Sequence, residues 1–132
     1  MARNFKVGDK ATLTKAFTED EVRQFAEMSC DKNPIHLDEE FAKNTPFGTR
    51  IVHGMLFSSM FSGILGQQLP GEGTIYLEQN LKFKKPVLLG EELTATVEIT
   101  NIREDKPIVT CATTCTNAKG EVVLDGTAVV KA

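Results

Sequence analysis

Between His53 and Gln67 the chain runs for fifteen residues without one Asp, Glu, Lys or Arg. Met55, Leu56, Phe57, Met60, Phe61, Ile64 and Leu65 put apolar side chains almost all round a helix. A helix without a charged face is buried on most sides. The chain has 132 residues, enough for one ordinary domain and too few for two, so the rest of the molecule has to wrap this helix. The stretch from Ile51 to Gly66 is also too short for a bilayer span, and too polar, with His53, Ser58, Ser59 and Ser62 inside it.

The wrapper is legible further on. Ile75, Leu77, Leu81 and Phe83 alternate with Tyr76, Glu78, Asn80, Lys82 and Lys84, the period of a half-buried strand. Leu93, Ala95, Val97 and Ile99 alternate with Thr94, Thr96, Glu98 and Thr100, and the stretches 108–116 and 121–130 are rich in β-branched residues. Turn residues separate them at 69–73, 85–86, 104–107 and 117–120. A short strand is expected near 11–15. Thr18-Glu19-Asp20-Glu21 is a capping box opening a helix over 18–30. Proline at 34 disfavours helix at Asn33 and ends it, and Asp38 can cap a second short helix through Ala42. Short turns imply antiparallel neighbours. The expected class is α+β: one domain over 1–132 in which a curved antiparallel sheet wraps a central apolar helix, the hot-dog architecture.

Fifteen basic against eighteen acidic residues leave a net charge of −3. This mildly acidic, mixed surface argues against a duplex-binding protein, which needs a clustered basic face. Three cysteines cannot all pair within one chain, and residues 1–13 carry no secretory pattern. A reduced, cytoplasmic protein with no membrane segment and no nucleic-acid partner is expected.

The two histidines are His36 and His53. Asp31-Lys32-Asn33-Pro34-Ile35-His36 sets a carboxylate five residues from an imidazole across a proline-containing turn. A carboxylate beside an imidazole is an acid–base pair able to work near neutral pH. Spacing alone equally fits Asp31 capping a turn with His36 packed beside it. His53 reads as a helix cap or as a first-turn residue touching a ligand or a neighbouring loop. Two histidines seventeen residues apart and unclustered cysteines match no common metal site.

The stretch Phe25–Ala42, FAEMSCDKNPIHLDEEFA, resembles the hydratase-2 motif of the MaoC-like family: an aromatic residue (Phe25), a small residue (Ser29), Asp31-x-Asn33-Pro34-Ile35-His36, and Ala42 six places after the histidine. Cys30 departs from it, standing where members commonly carry glycine or another residue. The likeness continues through 51–56, 66–71, 82–87 and 103–107, and is strongest to the small single-domain (R)-specific enoyl-CoA hydratases that supply polyhydroxyalkanoate synthesis. It implies that Asp31 and His36 together hold a water and act as base and acid in its syn addition to a trans-2-enoyl thioester. Homodimers and a site needing no cofactor beyond the CoA of the substrate are implied as well.

Further candidates follow for oxyanion or substrate binding: Asn33, the Gly54 amide at the start of the buried helix, and Ser62. Free N–H groups and a partial positive charge gather at a helix N-terminus. Ser62 either orients Asp31 or satisfies a carbonyl one turn back. Leu65 and Val130 are candidates for the acyl slot and are equally ordinary core residues. Lys84, Lys85, Arg103 and Lys106 are cations available to the CoA phosphates, or a solvated surface. A hot-dog thioesterase and a non-catalytic acyl-CoA binding module are the alternative functions.

Overall fold

The computed structural model describes residues 4–132. In chain order it contains β1 (Lys10–Ala16), α1 (Glu19–Ser29), α2 (Pro34–Leu37), α3 (Glu39–Ala42), α4 (Gly54–Gln67), β2 (Ile75–Gln79), β3 (Lys82–Phe83), β4 (Glu92–Ile102), β5 (Ile108–Asn117) and β6 (Val122–Lys131). The sheet order is β1-β4-β5-β6-β2, with β3 also beside β6, and every pairing is antiparallel. The four helices all lie in sequence between β1 and β2, and α4 packs on β1 and β4.

Local chemistry accounts for the helix boundaries. Thr18 and Glu21 form the expected capping box, with the Glu21 amide donating to Thr18 Oγ1 and the Thr18 amide donating to Glu21 Oε1. Proline does more than end α1. It occupies the first turn of α2, where a missing N–H costs nothing, and Asn33 caps that turn by accepting the Ile35 amide. Asp38 caps α3 by accepting the Phe41 amide.

Period-two alternation in the long strands produces the core. Leu93, Ala95, Val97 and Ile99 of β4, Val109, Cys111 and Cys115 of β5, and Val123, Leu124, Ala128 and Val130 of β6 are buried against Phe57, Met60, Phe61, Ile64 and Leu65 of α4. Burial pushes the Cys111 and Cys115 thiols up to about 11 and about 12, which makes both unreactive at neutral pH. Thr113, the buried polar residue of β5, accepts from Gln79 Nε2 at 3.0 Å.

Two expectations need correction. The stretch 75–84 is not one half-buried strand: it breaks at Asn80, and Ile75, Leu77 and Phe83 are each half exposed. At the break the chain crosses β6 so closely that a Cβ on Gly126 would stand 1.9 Å from the Asn80 carbonyl oxygen, an approach open only to glycine. Nor is α4 enclosed on most sides. The sheet covers one side, while Met55, Ser59, Ser62 and Gly63 remain exposed. A single sheet can wrap only part of a helix's circumference.

Phe61 lies at the centre of the core, with no exposed surface. Replacing it with alanine is expected to lower unfolding free energy by about 3–5 kcal/mol, measured by urea titration of the circular dichroism signal.

Candidate active site

The site begins where α1 ends. Cys30 takes a left-handed conformation, φ 67°, which turns the chain sharply at a backbone geometry that glycine adopts most readily. Part of the hold on the turn comes from its own side chains. Ser29 Oγ donates to the Phe25 carbonyl (2.7 Å) and accepts the Asp31 amide (3.1 Å), and Asp31 Oδ1 accepts the Asn33 amide (3.2 Å).

Residues 50–53 grip this turn from the other side. The Ile51 amide donates to the Ile35 carbonyl at 3.2 Å. Arg50 Nε donates to the His36 carbonyl at 2.7 Å, and Arg50 Nη1 stands 2.6 Å from Glu19 Oε2 at the start of α1. His36 Nδ1 lies 2.8 Å from the Ile51 carbonyl oxygen, and His53 Nε2 lies 3.0 Å from the Asp31 carbonyl oxygen. A carbonyl can only accept, so both of these ring nitrogens carry protons. The neutral His36 ring therefore keeps its Nε2 lone pair free, and that atom stands 3.9 Å from Asp31 Oδ2.

The His36 side chain is only 10% exposed, whereas that of Asp31 is half exposed. Burial holds the His36 imidazole below its ordinary range, with His53 and Arg50 acting in the same direction and the Ile51 bond and Asp31 opposing. At neutral pH the ring is an uncharged base. The 3.9 Å separation exceeds a direct hydrogen bond but lets one oxygen sit about 2.8 Å from both atoms, at an angle near 90°.

Asp31, His53 and Gly54 line a cavity of about 480 Å³ together with Val52, Phe57, Val87 and Pro86 on its apolar side and Lys84 and Lys85 at its edge. Gly54 opens α4, and no hydrogen bond among the described residues uses its amide. The Phe83 ring lies against it: a Cβ on Gly54 would be 2.6 Å from Phe83 Cε1. A larger surface cavity, about 620 Å³, lies between Pro70 and Pro107 and contains neither histidine.

The other sequence candidates fall elsewhere. Asn33 spends its side-chain oxygen capping α2. Ser62 is exposed and lines a separate groove of about 390 Å³ with Met55, Tyr76 and Leu77. Leu65 and Val130 sit in the core, 2% and 0% exposed, and line neither cavity. Lys84 and Lys85 pair with Asp125 and Glu121, and Arg103 with Asp105. Lys106 lies on the wall of the larger cavity.

Asp31 and His36 of one turn and His53, seventeen residues beyond His36, bring ligand-type atoms within 4.8 Å of one another. The two rings are stacked, however, with centroids 3.8 Å apart and planes 24° apart. Their in-plane lone pairs run side by side, and one ion about 2.1 Å from each nitrogen would lie far outside at least one ring plane. His53 caps α4 and touches a neighbouring loop, as its place in the sequence suggested; sequence reasoning missed Arg50 and the stacking of His53 on His36. A faint signal existed: from Pro46 to Leu81 the sole basic side chain is Arg50.

The model of the MaoC like domain family matches residues 3–120. The chain belongs to the MaoC-like family. It is 55% identical over 130 residues to the (R)-specific enoyl-CoA hydratase of Aeromonas caviae, covering 98% of this chain and 97% of the relative. It is 42% identical over 128 residues to a 3-hydroxybutyryl-CoA dehydratase of Methylorubrum extorquens, covering 97% and 81%. Among solved structures, the (R)-hydratase from A. caviae involved in PHA biosynthesis superimposes with a TM-score of 0.96 over 98% of both chains. An R-hydratase from Pseudomonas aeruginosa gives 0.92 at 41% identity, over 97% of this chain and 82% of that one. The hot-dog class expected from the strand pattern is thereby established.

A base whose folded pKa is depressed binds fewer protons in the native state than in the unfolded chain. Its contribution therefore makes stability fall as pH drops through and below about 6.5, the unfolded value for histidine. Urea titrations at pH 7.5 and 5.5 are expected to show this loss, and His36→Asn is expected to reduce it.

Proposed function

We propose that this MaoC-like protein is an (R)-specific enoyl-CoA hydratase that adds water syn across the double bond of short trans-2-enoyl-CoA thioesters, giving (R)-3-hydroxyacyl-CoA. The observation that carries the reading is the free His36 Nε2 facing Asp31 Oδ2 across 3.9 Å, beside a cavity whose wall also holds the Gly54 amide.

In this mechanism one water sits between the two side chains. The pair takes a proton from it, the hydroxide adds to C3, and a proton from the same pair goes to C2. Delivery of both from one face makes the addition syn. The two side chains flank the same water, so the two proton transfers are assigned to the pair and not to either side chain singly. The charge that develops on the thioester oxygen is met by the Gly54 N–H at the positive end of α4, a type of contact worth a few kcal/mol in the transition state. The acyl group lies against Val52, Phe57 and Val87, and Lys84 and Lys85 flank the route taken by the CoA phosphates. Water and the thioester are the only reactants, so no cofactor is required.

The working unit in this reading is a cytoplasmic homodimer. Support comes from the open side of α4 and the adjoining edge: Met55, Ile75, Leu77 and Phe83 are 50–61% exposed in one chain, and β2 ends the sheet with backbone groups available for pairing. No helix among the described residues is long and apolar enough to cross a membrane.

Crotonyl-CoA separates the alternatives. Loss of the enoyl absorbance is expected; release of free thiol would instead identify a thioesterase, and binding without either signal a non-catalytic module. Asp31→Ala and His36→Ala are each expected to lower kcat by at least about 10²-fold with unchanged circular dichroism. Sedimentation equilibrium is expected to give twice the 14.5 kDa chain mass, and Leu77→Asp to shift the protein toward the monomer.

A further inference from the structure

Resting on the reading of Asp31 and His36 as the reacting pair, we infer that His53 is its positioning residue, holding both members at once: Asp31 through a hydrogen bond to its main chain and His36 through a ring stack. His53 is almost fully buried. Its Nε2–H donates to the Asp31 carbonyl oxygen at 3.0 Å. One ring face lies on His36, centroids 3.8 Å apart, and Phe25 of α1 packs edge-on at 4.9 Å and 66°. Its backbone follows Val52, whose amide donates to Val87 at 2.7 Å, and it caps α4 without any side-chain cap bond. The imidazole thus sits between Phe25 of α1 and His36 of α2 and offers its one proton to the turn that carries Asp31.

The other ring nitrogen makes the case specific. His53 Nδ1 is buried and has no hydrogen-bond partner, a condition that costs stability relative to an apolar ring of the same shape. A phenyl ring would fill the space without that cost. What a phenyl ring lacks is the Nε2–H, so the donor to the Asp31 carbonyl is the feature that separates a functional imidazole from a packing residue. The two stacked rings also carry opposite tautomers: His36 is protonated at Nδ1, toward Ile51, and His53 at Nε2, toward Asp31. This leaves His36 Nε2 as the free lone pair beside the Asp31 carboxylate. His53 itself, with its proton committed to a carbonyl, transfers none.

The test uses two variants that divide the roles. His53→Gln keeps an N–H donor near the Nε2 position and loses the stacked ring; His53→Phe keeps the ring and loses the donor. Both are expected to lower kcat at least about tenfold while KM on crotonyl-CoA stays within about threefold, the signature of lost alignment rather than lost binding. Asp31, His53 and Arg50 are the ionisable groups that face His36. Opening the ring face to solvent in His53→Gln is therefore expected to move the acid limb of kcat/KM to higher pH, and by more than in His53→Phe. A readout independent of any variant is the long-range ¹H–¹⁵N spectrum of the unaltered protein, which contains only two histidines. It is expected to show one neutral ring protonated at Nδ1 and the other at Nε2. Two Nδ1–H tautomers would overturn the inference, as would folded His53 variants whose kcat stays within about twofold, or in which KM alone changes. Activity surviving in Asp31→Ala and His36→Ala would overturn the reacting pair and the positioning role together; activity lost there but kept in both His53 variants would overturn the positioning role alone.

Discussion

The site depends on the hydrogen bonds that tie residues 50–53 to residues 31–36. A four-residue helix such as α2 has no stability of its own in water, and neither do the turns on either side of it. Their shape is borrowed. Ile51 holds Ile35 and the His36 ring, Arg50 holds the His36 carbonyl, and His53 holds the Asp31 carbonyl. The gripping segment is in turn anchored to the chain before β4, through the Val52 amide on Val87 and the bridge between Ile51 and Leu88. It then runs directly into α4, which the sheet holds against the core. Rigidity passes from packed apolar side chains, through main-chain bonds, to two reactive groups that are themselves on short irregular chain.

The same bonds set the electrostatics. Giving the His36 Nδ1 proton to Ile51 decides which nitrogen remains basic, and burying the ring keeps it uncharged at neutral pH. Arg50 adds a cation near that ring, yet its charge is not left alone: Glu19 pairs with it, and the Arg50 guanidinium holds the Glu19 carboxyl below the usual carboxylate range. Arg50 thereby links the first turn of α1 to the His36 carbonyl of α2. Asp31, half exposed, keeps one oxygen on the Asn33 amide and turns the other toward His36. One carboxylate therefore both shapes the turn and faces the cavity.

Incomplete burial is the second organising feature. The open side of α4, with Met55, Ser59, Ser62 and Gly63, continues onto Ile75 and Leu77 of β2. Alternation in 75–84 reads as a strand with one buried face, but among the described residues no layer covers Ile75, Leu77 and Phe83. Period two reports which side chains share a face. It does not report what lies against that face, and this is why an edge strand and an inner strand look alike in sequence. Ser62 illustrates the same limit: it lies on α4 with Gly54, yet lines a different groove.

Local chemistry was enough to determine a good deal. The capping box at Thr18, the proline stop, the Asp38 cap, the alternation of β4 and the charge-free run of α4 all act within a few residues, and so they, the antiparallel class and the motif from Asp31 to His36 could be read directly. Only the tertiary structure decided the rest. That Asp31 and His36 face each other, that His53 stacks on His36 from seventeen residues away, that Arg50 holds the His36 carbonyl, and that Leu65 and Val130 lie in the core rather than on the cavity all follow from how α4 meets the sheet. Apart from the Asp31–His36 turn, which five residues span, those contacts join segments that no spacing rule connects, because their geometry is set by packing across the whole core and not by the conformational preferences of neighbouring residues.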